Sequence, residues 1–460
     1  MPVAADASPA VPRSAVPGLA WPALPGAVAA GLLSVQQQLA ESQWWSSSQI
    51  RALQLRQARE LLAHACRHVP HYRETLLPVL GARGGGEIDA KAWSSLPRLR
   101  REDIQGGGST LHSSELPVGH GKTIEYWTSG STGRPISFLG SELTRFFWQV
   151  LTLRDHIWHR RDLHGKLAVI RTTTEAGERR GWGPATDHIY DTGPCATLNI
   201  RTDVARQAEW LAHHDPDYLL SHPSNLLALA RSFGERGLAA PRLREVRTFG
   251  EVLPPALRQV CLEVWRARVV DVYSAEEAGY IALQCPECES YHVQAENLLV
   301  EVLDDDGVEC EPGAIGKVVL TTLHNFAMPL IRYEIGDYAE VGPPCACGRG
   351  LPVLRRIMGR QRNMLRLPDG RQHWPSFPAE AWLAIAPIRQ FQIVQTALDS
   401  VEARFVAEGR LQAAQLEQLA SMLKKYLDYP LKVTMSQVDE IERKPNSKFE
   451  DFVSLLTPSR

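Results

Sequence analysis

Four short apolar runs, Leu167 to Ile170, Tyr218 to Ser221, Val246 to Phe249 and Val269 to Tyr273, recur through the middle of the chain. Runs this short, bounded by polar and turn-forming residues, read as strands. Between and before them, Glu142 to His159, Asn225 to Gly237 and Pro255 to Arg266 place apolar residues at helical spacing. Alternating strand and helix close a core as a mostly parallel sheet with helices on both faces, which makes the fold class α/β. Ligands of such sheets sit beyond the carboxyl ends of the strands, so chemistry is sought there.

The chain has 460 residues, 44% hydrophobic and 22% charged, enough for two or three domains each with its own core. A net charge of -2 argues against a nucleic-acid partner held by bulk charge. The apolar stretch Pro17 to Leu33 is broken by Pro22 and Pro25 and has only Arg13 as a basic leader, so neither a signal peptide nor a membrane span is expected. A cytoplasmic location is the expectation. Residues 1–45, rich in Ala, Pro and Val, read as a loosely ordered arm. A large domain over 46–362 opens on a helix from Ser46 to Cys66, with Ser47 or Ser48 as a possible cap. From Leu298 the texture turns to strands and turns, a small β-rich subdomain completing the large one. Residues 363–460 form a small α+β lid whose helix, Leu411 to Leu427, shows one leucine face.

Candidate chemistry clusters in a few strings. Tyr126 to Phe138 encloses Thr128, Ser129, Gly130, Ser131, Thr132, Gly133 and Arg134, a loop between two strands. Its hydroxyls, glycine-opened amides and one fixed cation suit phosphate oxygens. No Gly-Lys-Ser/Thr closes it, so it is not a Walker loop. Tyr273, Ser274, Glu276 and Glu277 follow a strand, where a ring can stack on a base and a carboxylate can hold a magnesium ion. The plain alternatives are a core tyrosine and a solvated glutamate. Asp337, after Gly336, could accept both ribose hydroxyls or simply cap its own turn. Gly250, Glu251 and His222 end neighbouring strands; His222 either faces the same pocket or is structural. Lys444 and Lys448 compete as a lid cation.

Of eight cysteines, Cys285 with Cys288 and Cys345 with Cys347 form tight pairs. Two such pairs can hold one tetrahedral structural Zn2+, with His292 as a spare ligand; four inert thiols are the alternative.

Taken in order, Thr128-Ser-Gly-Ser-Thr-Gly-Arg-Pro135, Gly250-Glu251, Tyr273-Ser-Ala-Glu-Glu277, Arg332-Tyr-Glu-Ile-Gly-Asp337, Gly359-Arg360 and the terminal lysine resemble the motifs of the adenylate-forming superfamily. The phenylacetate-CoA ligase-like branch, with its capsule-biosynthesis-type members, is the nearest pattern. Ser274 stands where the family has Gly, Glu276 where it has Thr or Ser, and Arg362 and Asn363 replace the hinge acids. The resemblance implies ATP and Mg2+ as cofactors, with the loop 128–133 and Arg134 on the phosphates and Glu277 on magnesium. It implies Tyr273 and Ser274 at the adenine side, Asp337 on the ribose, Arg360 on the ribose or phosphate, and Gly250 and Glu251 along the acyl and adenine pockets, which His222 would face from the end of its own strand. Lys448 is the lysine that the pattern selects to meet the α-phosphate on lid closure. The implied reaction adenylates a small-molecule carboxylic acid, an aryl acid such as a hydroxybenzoate, and passes the acyl group to a thiol of CoA or of an acyl carrier protein. Transfer to an amine or hydroxyl, as in secondary-metabolite or polysaccharide assembly, and an inactive nucleotide-binding scaffold are the alternatives.

Overall fold

The computed structural model describes residues 11–80, 88–127, 136–172, 175–360, 363–375, 377, 379–441 and 450–456. At its centre lies a twelve-stranded sheet. Five strands, Pro194–Asn199, Leu167–Arg171, Tyr218–Ser221, Glu245–Phe249 and Arg268–Ala275, pair in parallel in that spatial order. From Arg268–Ala275 outward the pairing turns antiparallel, through Gly279–Gln284, Tyr291–Val293, Val353–Arg360, Tyr333–Val341, Ile315–Thr322 and Leu298–Leu303. The β-rich stretch expected from residue 298 thus continues the parallel half edge to edge.

Helices Val204–His214, Pro223–Glu235 and Pro255–Trp265 cover one face of the parallel half, burying Leu211, Leu226, Leu229 and Leu257. The helix Glu142–Trp158 covers the other. It starts where Ser141 accepts from Thr144 N (3.4 Å) and Thr144 returns a bond to Ser141 N (2.8 Å), which satisfies two end amides.

The amino-terminal stretch departs from the expectation of loose order. Ala27–Ser42 is a helix with Leu32 and Leu39 buried, and the Gln36 amide donates to Val150 O in the helix Glu142–Trp158. Pro22 and Pro25 lie before its first turn, where they cost no helical bond, so a run of Ala and Leu proceeds unhindered behind them. The next helix, Ser47–His68, is capped by Ser46 through a reciprocal bond with Gln49, one residue ahead of the expected caps.

In the carboxy-terminal part, Lys432–Gln437, Ser400–Ala407, Ile388–Ala397 and Phe452–Ser454 form a four-stranded sheet in that order. The helix Ala413–Tyr426 packs Leu419 and Leu423 on Ile393, Val401 and Phe405. Each such leucine contributes roughly 1.5–3 kcal/mol by leaving water. Asn363 joins the two parts: its Oδ1 accepts from Arg360 N (3.1 Å) and its Nδ2 donates to Phe452 O (2.8 Å). Among the described residues no helix is long and apolar enough to cross a membrane.

Candidate active site

The parallel strands deliver their carboxyl ends into a cleft of about 3080 Å3 lined by residues of both the large domain and the small carboxy-terminal domain. At the end of Glu245–Phe249 the chain turns at Gly250, whose φ of +78° suits a residue without Cβ. Glu251 then accepts from Ser224 N (2.9 Å), placing a carboxylate at the amino terminus of Pro223–Glu235. His222, just before that helix, donates from Nδ1 to Phe249 O (3.1 Å), since a carbonyl can only accept, and its ring lies 4.5 Å from that of Phe249.

On the next strand the Tyr273 hydroxyl donates to Asp337 Oδ2 (2.8 Å). Asp337 is the cross-strand partner of Arg360, whose Nε is 3.6 Å from Asp337 Oδ1. Burial pushes the Tyr273 hydroxyl well above its ordinary range, and Asp337 and Glu277 push the same way, so it stays a protonated donor. Ser274, Glu276 and Glu277 line the same cleft. Gly359 (φ +86°) closes the arrangement: a Cβ there would come within 2.7 Å of Val252 Cγ2, in the loop after Gly250.

The structure therefore brings His222, Gly250, Glu251, Tyr273, Ser274, Glu277, Asp337 and Arg360 to one cleft. Thr128, Ser129, Gly130, Ser131, Thr132, Gly133, Arg134 and Lys448, with its competitor Lys444, lie outside the described residues. The strands flanking the first group, Thr123–Trp127 and Ser137–Ser141, pair antiparallel with Trp127 opposite Ser137, and Trp127 lines the cleft. Asn325 ties this hairpin to the sheet through Leu139 O (2.9 Å).

Sequence reasoning missed the other wall. Trp148, Thr152 and His156 sit four residues apart on Glu142–Trp158 and line the cleft, as do Arg247, Phe249 and Tyr280. The spacing was present in the sequence, as was a charged residue inside an apolar strand. Behind them Asp155 binds Arg161 (2.7 Å) and Arg247, while Glu245 binds Arg161 (2.5 Å) and Arg268 (2.7 Å). Burial pushes the Asp155 carboxyl up, but Arg161 and Arg247 together hold it well below the usual carboxylate range. Burial and the same two cations lower His156 far below its ordinary value and keep it neutral.

The cysteine pairs also converge. Cys285 Sγ and Cys288 Sγ lie 3.8 and 3.6 Å from Cys345 Sγ, and Cys347 Sγ lies 3.3 Å from His292 Nε2. Ligand atoms of Cys285, His292, Cys345 and Cys347 all fall within 4.8 Å of one another. A tetrahedron of Zn–S bonds has S···S edges of about 3.8 Å, so soft donors at these spacings fit zinc. Burial holds His292 near 4, hence neutral and able to donate a lone pair. The loop of Cys345 and Cys347 is pinned to the amino-terminal helices: Gly350 N donates to Gln43 O (2.9 Å), and the Arg349 guanidinium stacks over Trp44 and Trp158 at 5.0 and 4.6 Å.

No family model matches the chain. A phenylacetate-coenzyme A ligase of Thermus thermophilus is 25% identical over 457 residues, 88% of this chain and 96% of that protein. Another, from Aromatoleum evansii, is 25% identical over 348 residues, 70% of this chain and 72% of its own. Among solved structures, 2-hydroxyisobutyryl-CoA ligase in the postadenylation state with R3-HIB-AMP superimposes with a TM-score of 0.72 at 18% identity, over 90% of this chain and 91% of that one. The anthranilate CoA ligase AuaEII in complex with anthranoyl-AMP gives 0.52 at 16% identity, over 70% and 65%. These solved structures share the fold: the α/β large domain and, in the first, the small carboxy-terminal domain as well.

Proposed function

We propose that the chain is a member of the adenylate-forming superfamily, on its phenylacetate-CoA ligase-like branch, and that it works as an AMP-forming acid–thiol ligase. The observation that carries this reading is the convergence of Tyr273, Asp337 and Arg360 with the Gly250 loop and Glu277 in one cleft beneath the lid. Asp337, oriented by the Tyr273 hydroxyl, receives the ribose hydroxyls of ATP, and Arg360 lies beside it. The hairpin loop 128–133 and Arg134 take the phosphates. The acid enters along Phe249 and His222 with its carboxylate toward the α-phosphorus. A carboxylate oxygen attacks that phosphorus and pyrophosphate leaves, giving acyl-AMP. The sulfur of a thiol then attacks the acyl carbon, AMP leaves, and a thioester results. Holding the reactants in line supplies much of the acceleration, and fixed cations offset the charge that builds on the phosphates. Glu277 would hold Mg2+, which when bound neutralises phosphate charge.

The finer reading is an aryl acid, hydroxybenzoate-like, with the thiol on CoA or on an acyl carrier protein; the aromatic walls of the cleft, Trp148, Phe249 and Tyr280, support a ring. We assign the thiol cluster to structural zinc, drawn from Cys285, Cys288, Cys345 and Cys347 with His292 as the fifth candidate. Carboxylate-dependent exchange of labelled pyrophosphate into ATP tests the first step, and CoA, carrier protein and amines supplied in parallel test the acceptor. Lys448→Ala is expected to keep ATP affinity while adenylation falls by two orders of magnitude or more. Absence of exchange across a broad panel of acids would overturn the ligase reading.

A further inference from the structure

Resting on that ligase reading, we propose that the part of the cleft between the helix Glu142–Trp158 and the strand Glu245–Phe249 reads a ring hydroxyl on the acid, with Arg247 as the specificity-determining donor. Three observations support this.

The first is the pattern of walls. This part of the cleft is lined by Trp148 and Thr152 on the helix and by Phe249 and Tyr280 on the sheet, the Trp148 and Tyr280 rings packing with centroids 5.3 Å apart. Its inner end is polar, formed by Arg247 and His156. Arg247 lies two residues before Phe249, the last residue of its strand, roughly 7 Å back from the strand's carboxyl end. That is about the reach of an aryl acid from its carboxylate to a substituent across the ring.

The second is an unmet donor. Arg247 is only 5% exposed, yet the one hydrogen-bonding partner of its guanidinium among the described residues is Asp155, through Nη2. Its Nε is enclosed without a partner. A guanidinium carries five N–H donors, and leaving them bare in a buried place is costly. The neighbouring carboxylates do not make up the deficit. Asp155 is shared with Arg161, Glu245 is divided between Arg161 and Arg268, and Asp155 Oδ1, itself enclosed without a hydrogen-bond partner, does not bond Arg247. Nη1, which is neither bonded nor enclosed, is the donor that an oxygen brought into the cleft by the ligand would meet.

The third is the tautomer of His156. Arg161 Nη1 lies 3.3 Å from His156 Nδ1, and arginine can only donate. The ring proton therefore sits on Nε2, which makes a second donor. The Tyr280 and Thr152 hydroxyls, 3.1 Å apart, offer lone pairs for the proton of a ligand hydroxyl. A hydroxyl suits this set better than a second carboxylate, which would face Asp155 across the same guanidinium.

The test compares kcat/KM in pyrophosphate exchange for benzoate, 3-hydroxybenzoate, 4-hydroxybenzoate and isophthalate, in the wild type and in Arg247→Met and Arg247→Lys. One of the two hydroxybenzoates is expected to exceed benzoate by at least tenfold, because a site built to bond a hydroxyl rejects the analogue without it. Arg247→Met should bring that ratio toward one and Arg247→Lys should retain part of it. Benzoate equal to or better than both hydroxybenzoates would overturn the proposal while leaving the ligase reading intact, and this wild-type ratio decides even where a variant does not fold. A uniform loss for all acids in Arg247→Met would make Arg247 a structural residue, and isophthalate as the best acid would replace the hydroxyl with a carboxylate; either result also overturns it. No exchange with any of these four acids would also overturn the proposal, whereas absence of exchange across the broad panel would remove the ligase reading itself.

Discussion

Asp337 depends on two neighbours from different strands, the hydroxyl of Tyr273 and the guanidinium of Arg360. Tyr273→Phe removes the donor that fixes one carboxylate oxygen while keeping the ring. A single hydrogen bond to a charged group contributes on the order of 1.5 kcal/mol, so AMP or ATP should bind about tenfold more weakly, measurable by titration calorimetry. His159 offers a different reading of residue chemistry. Burial lowers it from the ordinary 6.5 to about 4, against Asp155, which pulls the other way. The folded chain therefore binds fewer protons here than the unfolded one, and stability must fall as pH drops from about 6.5 to about 4 and be fully present above that window. Denaturant unfolding across this range should show a loss of up to about 3 kcal/mol from this group, diminished in His159→Gln. At this scale legibility was uneven. Tyr273, Asp337 and Arg360 stand in short distinctive strings. Arg247 does not, because its meaning depends on Asp155, 92 positions away, which only the fold brings to it.

Strands and helices of the parallel half were largely readable, and Tyr218–Ser221 falls at its expected bounds. Local hydrophobic pattern decides such elements. What pattern could not convey was pairing: the antiparallel strands from Gly279 onward extend the same sheet through contacts remote in sequence. The helix Ala27–Ser42 was hidden by the prolines before it. One junction between elements is directly testable. Gly359, next to last in the strand Val353–Arg360, sits at φ +86°, and its missing side chain leaves room for Val252. Gly359→Ala should cost about 1–3 kcal/mol in unfolding free energy, through backbone strain and the 2.7 Å approach together. The displaced Val252 belongs to the loop after Gly250, so nucleotide affinity should fall in the same variant.

Across the whole molecule, the cluster of thiols and imidazole joins the end of Gly279–Gln284 to a loop that holds the amino-terminal helices through Arg349 and Gly350. If zinc fills it, elemental analysis should find one atom per chain. Stripping it with a chelator should lower the melting temperature by several degrees and expose the segment around Trp44 to proteases. Cysteine spacing made the four thiols legible and offered His292 as a spare ligand, whereas its place beside Cys347 follows from the pairing of its strand with Val353. Asn363 has a consequence of its own. One amide grips both the last residue of the hinge strand and the backbone at Phe452, four positions beyond Lys448. On the proposed reading, a swing of the small domain would carry position 448 with it, and Asn363 would couple that movement to the end of the strand Val353–Arg360.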